Sequence, residues 1–231
     1  MSDKTLSIVI PVFNKFNFTK SCLNDLSNLP NDHEIIIIDN GSTDETFNNL
    51  RGNKDIVYIP LNHNKGFAQA SNIGYGIATS PNVLFLNNDI RVNDSKSNWT
   101  KPLLDKCNDG LVGPTMGQLD SNLNFVKEAN EVLTGKSYLS GWCLASSKKI
   151  FDKLEVKRSV SDPNTRPQIF SEKYGKAYFE DTDLSFRARK LGIAMNVVSI
   201  PVVHFGKQTS SQLNTYELYS KARKIFIKTW A

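Results

Sequence analysis

The stretch Glu34-Ile35-Ile36-Ile37-Ile38-Asp39 decides the architecture. Four consecutive isoleucines leave no polar alternation, so both faces of this strand must be buried, as in a parallel sheet covered by helices on each side. Upstream, residues 6–12 form another short apolar run, and Phe18, Cys22, Leu26 and Leu29 give residues 16–29 a helical spacing. Downstream, Asn40-Gly41 turns the chain, and Ser42 with Glu45 has the spacing of a capping box opening a helix through Leu50. Residues 55–59 read as a third strand, 66–78 as a helix with Phe67, Ala70, Ile73 and Ile77 on one face, and 82–86 as a fourth strand. This rhythm predicts an α/β fold with a doubly wound, mostly parallel central sheet flanked by helices. Ligands of such sheets collect beyond the carboxyl ends of the strands. Asn14 follows the first strand, Asp39 ends the second, and Asn87-Asn88-Asp89 ends the fourth.

The second half is less regular. Residues 111–115, 124–127 and 138–145 read as short strands, and 156–170, with Pro163 and Pro167, as a loop. Residues 181–191 form a helix with Leu184, Ala188 and Leu191 inward, closed by Gly192. Residues 194–200 form the last strand. The reading is one domain over 1–211, with halves 1–92 and 93–211, followed by an amphipathic helix within 212–231. On that helix Tyr216, Tyr219, Ala222, Phe226 and Trp230 fall near one face, with Lys221, Arg223, Lys224 and Lys228 interleaved. Packing on the domain edge, binding to an anionic membrane and self-association all suit it.

With 231 residues, 39% of them hydrophobic, the chain can bury a substantial core. The net charge of +5 suits an anionic ligand or a membrane surface, and no Lys/Arg block resembles a nucleic-acid arm, so nucleic acid is not an expected partner. Cys22, Cys107 and Cys143 are odd in number and fit no zinc spacing, which reads as reduced thiols in a cytoplasmic protein. The polar start, followed by an apolar run of only strand length, predicts neither a signal peptide nor a membrane span.

Several segments carry chemistry, each with a plainer alternative. Asp39-Asn40-Gly41-Ser42-Thr43-Asp44 can hold a polar ring edge and a hydroxylated sugar, or be an ordinary turn with a helix cap. Asn64-Lys65-Gly66-Phe67 leads into a helix carrying Asn72. A glycine there lets backbone N–H groups approach phosphate and Lys65 adds charge, but the pattern is no Walker loop, and an exposed lysine at a helix start is the alternative. Asp89 in Asn87-Asn88-Asp89 can hold a hard divalent cation while a diphosphate supplies further oxygens, or the segment is a turn. Glu180-Asp181-Thr182-Asp183 supplies first-turn acids that suit the helix dipole, a general base, or both. His204 is structural, or a ligand of the same cation as Asp89.

Taken in order, six segments resemble the family 2 glycosyltransferases of the A-type nucleotide-sugar fold, nearest the rhamnosyltransferase-like branch. They are Ser7-Ile-Val-Ile-Pro-Val-Phe-Asn14, Ile38-Asp-Asn-Gly-Ser-Thr-Asp44, Asn64-Lys-Gly-Phe67 with Asn72, Phe85-Leu-Asn-Asn-Asp89, Ser140-Gly-Trp-Cys143 and Glu180-Asp-Thr-Asp-Leu184. The resemblance runs from Ser7 to about Ser210. It implies that Pro11, Val12 and Asn14 line a nucleotide pocket, and that Asp39 meets the base beside Asn40 and Ser42. Asn64, Lys65 and Gly66 then lie near the ribose or diphosphate, with Asn72 also on the donor side. Asn87 stands where the family's Asp-x-Asp motif has its first acid. Asp89 is therefore the main carboxylate ligand for Mn²⁺ or Mg²⁺, with His204 assisting, and Asn87 or Asn88 touches ribose or a metal-bound water. Asp181 matches the general base, supported by Glu180, and Gly141 and Trp142 match the acceptor side.

The implied activity is inverting transfer of a hexose or deoxyhexose from a UDP- or dTDP-sugar to a hydroxyl of a glycan or lipid-linked acceptor. The resemblance implies a cytoplasmic enzyme, with peripheral contact at the inner face of a membrane, or a homodimer through the last helix, left open. Two rivals remain. A sugar-nucleotide-forming nucleotidyltransferase needs a Gly-rich loop with Lys or Arg after the first strand, which Pro11 to Asn14 lacks. A non-catalytic nucleotide-sugar-binding module is invited by Asn87 and opposed by the joint presence of Asp89, Asp181 and His204.

Overall fold

The isoleucine run lies at the centre of a seven-stranded sheet in the computed structural model, which describes residues 4–94, 97–156, 166–206 and 214–231. The first half runs β1 (Leu6–Val12), α1 (Phe16–Leu26), β2 (His33–Asp39), α2 (Thr46–Leu50), β3 (Val57–Pro60), α3 (Phe67–Ile77) and β4 (Asn82–Leu86). β2 pairs in parallel with β1 and β3, and β1 with β4, so Ile36, Ile37 and Ile38 are wholly buried between the two helix layers. The result is a single α/β domain with a mostly parallel central sheet flanked by helices.

The second half is β5 (Ile90–Val92), α4 (Lys101–Leu104), β6 (Gly110–Gly113), β7 (Met116–Leu119), β8 (Phe125–Ala129), β9 (Ser137–Leu139), β10 (Cys143–Ser147), α5 (Lys148–Lys153), α6 (Glu180–Lys190), β11 (Ala194–Val197), β12 (Val202–His204) and α7 (Thr215–Trp230). The main sheet is ordered β11-β6-β10-β4-β1-β2-β3. β10 runs antiparallel to both β4 and β6, while β11 pairs in parallel with β6. The single strand expected over 138–145 is two strands. Ser140-Gly141-Trp142 breaks it, sending β9 into a small sheet with β7 and β8 and β10 into the main sheet. The three-residue strands β5 and β12 pair antiparallel and carry His204 to the end of β4. They are too short for a period to show.

Two local expectations are corrected. The Ser42 hydroxyl does not cap α2, because it accepts the Asn14 N–H at 2.8 Å. Asp44 takes that place, accepting the Thr46 N–H at 3.0 Å. Leu191 is exposed, because α6 ends at Lys190 and Leu191 lies in the turn after it. Of the loop expected over 156–170, residues 157–165 lie outside the described residues. The cysteines are free and buried, and desolvation pushes their thiols up, Cys107 to about 12.

The apolar face of α7 is packed on the domain. Ala222 and Phe226 are fully buried, with the Phe226 ring 4.9 Å from Phe179 and 5.2 Å from Phe186. The Trp230 indole N–H donates to Asp183 Oδ1 at 3.0 Å. Phe226→Ala opens a cavity under α7 and is expected to cost about 3–5 kcal/mol, a fall in Tm on the order of ten degrees. An unchanged melting curve would contradict this packing. No helix among the described residues is long and apolar enough to cross a membrane.

Candidate active site

The carboxyl ends of β1, β2 and β4 open on a cleft of about 470 Å³, whose far wall comes from the segment entering α6. The loops after the strands are tied by asparagines. Asn14 Oδ1 accepts the Thr43 N–H at 2.8 Å, and Asn40 Oδ1 accepts the Lys65 N–H at 2.8 Å. Asn40 Nδ2 donates to Asn64 Oδ1 at 3.1 Å and to the Gly66 carbonyl at 3.2 Å. These side chains satisfy backbone groups that turn residues otherwise leave to water. Pro11, Val12, Asn40 and Asn64 line the cleft.

At the end of β4, Asn87, Asn88 and Asp89 also line it. Asn88 is turned toward α1, donating to Thr19 Oγ1 at 2.9 Å. Asp89 Oδ1 lies 3.1 Å from His204 Nε2, and the Asn87 amide nitrogen lies 3.3 Å from the same ring nitrogen. As these groups stand, a protonated Nε2 serves Asp89 but meets the Asn87 N–H, whereas a bare Nε2 serves Asn87 but faces a carboxylate lone pair. A divalent cation would satisfy carboxylate and imidazole together, and hard cations accept remaining oxygens from phosphate and water. The residues therefore fit such an ion, although the described residues contain no group of three or more His, Cys, Asp or Glu able to hold one without added ligands. The Trp142 ring lies against the His204 ring, with centroids 4.8 Å apart and planes 9° from parallel. Its indole N–H donates to Thr115 Oγ1 at 3.0 Å. Trp142 both lines the cleft and holds the imidazole plane.

Opposite, α6 begins with two carboxylates. Asp181 Oδ2 accepts the Gly141 N–H at 2.9 Å, and Oδ1 accepts the Thr182 N–H at 2.6 Å. The Glu180 carboxyl accepts from its own backbone N–H, against the several donors that Asp181 has. Desolvation, and then the Asp181 charge, push Glu180 up to about 8. Desolvation raises Asp181 as well, against the pull of its hydrogen bonds. The pair thus shares its proton unequally. Donated N–H groups favour charge on Asp181, and Glu180 keeps the proton.

A linkage follows. The folded pKa of Glu180 lies above its ordinary value of 4.5, so its protonated form favours the native state. Stability is undiminished below about 4.5 and falls as pH rises toward 8. Relative to wild type, Glu180→Gln is expected to gain a few degrees in Tm between pH 4 and pH 9. A Tm difference independent of pH would contradict the shift.

Other expected site residues lie elsewhere. Asp39 is buried, with Oδ2 accepting the Tyr58 hydroxyl at 2.5 Å and Oδ1 the Ser42 N–H at 2.8 Å. A ligand reaching Asp39 must displace Tyr58. Asn72 is not in the cleft wall. Its amide donates to the Phe170 carbonyl and Glu172, and accepts from the N–H groups of Ile169 and Phe170, which uses its full capacity. Gly66 serves close approach of chain to chain rather than to phosphate. A Cβ there would lie 2.5 Å from Lys176 Cα, and the Phe67 N–H already donates to the Lys176 carbonyl at 3.0 Å. Lys65 lies outside the cleft, its ammonium 3.5 Å from His63 Nε2. Asn14 and Ser42 support loops without lining it.

Sequence reading missed part of the wall. Phe125, Glu128 and Tyr138 come from the small sheet, Lys176 to Phe179 from the segment before α6, and Tyr219 from α7. Glu128 Oε1 accepts the Ser140 hydroxyl at 2.5 Å. Tyr178 and Phe179 have φ of 76° and 68°, a left-handed conformation costing roughly 1–3 kcal/mol each. Rings of α7 hold them: Tyr219 lies 5.6 Å from Tyr178, and Phe226 stacks on Phe179. No local signal in the sequence marks that arch.

Comparison with known proteins agrees with this fold. The family model described as Glycosyl transferase family 2 matches residues 7–154. No curated protein matches the chain. The mannosyltransferase PcManGT from Pyrobaculum calidifontis, solved in complex with GDP-Man and Mn²⁺, is 14% identical with a TM-score of 0.57, over 86% of this chain and 55% of that one. That likeness shows a shared fold. S. aureus TarS 1-349, solved in complex with UDP-GlcNAc, is 22% identical with a TM-score of 0.40, over 47% of this chain and 33% of that one. The chain thus spans about a third of the TarS fragment's length and about half of the mannosyltransferase's.

Proposed function

The chain belongs to glycosyl transferase family 2, and on that premise we propose that it transfers a hexose or deoxyhexose from a nucleoside diphosphate sugar to an acceptor hydroxyl, inverting the anomeric carbon. The observation that carries this reading is that one cleft holds both the Asp89–His204 pair and the Glu180–Asp181 pair, with Gly141 bonded to Asp181 and Trp142 stacked on His204. The first suits a cation-bound diphosphate and the second an acceptor to be deprotonated. We place the donor as a UDP- or dTDP-sugar and the acceptor as a glycan or lipid-linked glycan.

Pro11, Val12, Asn40 and Asn64 receive the nucleoside. Asp89 and His204 would hold Mn²⁺ or Mg²⁺, which when bound supplies positive charge against the departing diphosphate. Asp181, held by Gly141 and Thr182 and kept ionised while Glu180 holds the pair's proton, takes the proton of the acceptor hydroxyl. The hydroxyl oxygen bonds to the anomeric carbon from one face as the bond to the diphosphate oxygen breaks on the other. One displacement inverts the centre and needs no covalent intermediate. Trp142 fixes His204 and shapes the acceptor side beside Gly141.

Incubation with UDP-, dTDP- and GDP-sugars and Mn²⁺ is expected to release nucleoside diphosphate. Pyrophosphate release on incubation with a nucleoside triphosphate and a sugar 1-phosphate would indicate the nucleotidyltransferase alternative, and tight binding without turnover a non-catalytic module.

A further inference from the structure

The cleft wall carries four carboxylates, Asp89, Glu128, Glu180 and Asp181, and among the described residues one lysine or arginine, Lys176. Several basic side chains outside the cleft wall are engaged. Arg187 pairs with Asp183, Arg166 with Glu172, and Lys148 bonds the Ala78 carbonyl. Lys65 rests on His63 outside the cleft. Lys176 has no ion pair or side-chain hydrogen bond with any described residue, although it shares its cleft with acids.

Its backbone is fixed from both sides. Gly66 leaves no room for a side chain where it meets Lys176, and the Phe67 N–H holds the Lys176 carbonyl. Two residues later the left-handed pair Tyr178 and Phe179 is clamped by α7. The strained arch fixes the backbone of an exposed, flexible lysine at the cleft wall, between the loop after β3 and α6. An unpaired lysine in such a place suits a mobile multivalent anion better than any fixed acid of the cleft.

We propose that Lys176 is the side chain that contacts the diphosphate of the bound nucleotide, the part that sequence spacing gave to Lys65. This rests on the transferase reading above. It also offsets Asn87: a cation corner with one carboxylate places more of the diphosphate's charge on a protein ammonium, so part of nucleotide affinity persists without metal.

Calorimetry with EDTA present tests this, using UDP, dTDP and GDP against the corresponding nucleosides. Lys176→Met is expected to weaken the preferred nucleoside diphosphate roughly tenfold or more and leave its nucleoside unchanged, with Lys176→Arg restoring most of the loss. Equal diphosphate affinity in wild type and Lys176→Met would overturn the assignment and leave the transferase reading standing. So would equal loss for nucleoside and diphosphate. Wild type binding none of the three diphosphates, with or without Mn²⁺, would overturn the transferase reading and this one with it.

Discussion

Asp181→Asn is expected to lower glycosyl transfer by roughly 10²–10⁴-fold while nucleoside diphosphate affinity stays close to wild type. The exchange keeps the side chain's size and lets its one oxygen accept either the Gly141 or the Thr182 N–H, and it removes the charge that takes the acceptor's proton. Its effect belongs in kcat rather than in donor binding, because the diphosphate is assigned to Asp89, His204 and Lys176. Glu180 is a weak substitute. It has fewer hydrogen bonds to favour a carboxylate than Asp181 has, and desolvation, the larger cause of its raised pKa, persists when the Asp181 charge is removed. Turnover near wild type in Asp181→Asn would remove Asp181 from the role.

The second large effect is expected at Asp89. Asp89→Ala should abolish the gain in donor affinity that Mn²⁺ gives, a loss on the order of a hundredfold in metal-dependent binding. The carboxylate is buried beside His204, and Asn87 cannot replace its charge. Binding in EDTA should change little, because the nucleoside wall and Lys176 remain. An unchanged Mn²⁺ response would refute the assignment of the cation to this corner. A folded variant is expected, since the strand pairing of β5 with β12 and the bond from the Phe205 N–H to the Asp89 carbonyl use backbone atoms only.

What the sequence revealed follows from the range of the interactions. Short apolar runs within strands of five to seven residues declared β1, β2 and β4, and their order implied a cleft at the strand ends. The elements that close the cleft are defined by distant partners. The antiparallel insertion of β10, the three-residue strands that carry His204, and the left-handed arch under α7 have no local period to read. Polar residues were located better than they were interpreted. Gly66 marks a close approach, but of Lys176 rather than phosphate, and Asn72 is an invested amide rather than a donor contact. Likewise the aromatic face of α7 was visible from spacing, yet only packing shows that Phe226 and Tyr219 face the domain.

The central claim is a single displacement with departure of a nucleoside diphosphate. The direct measurement is proton NMR of the first sugar formed when the preferred α-linked nucleotide sugar is turned over with Mn²⁺, using water or a simple alcohol as acceptor and reading before mutarotation. A β-configured product appearing with stoichiometric nucleoside diphosphate is the expected result. An α-configured first product, or nucleoside monophosphate with sugar 1-phosphate in place of the nucleoside diphosphate, would contradict it.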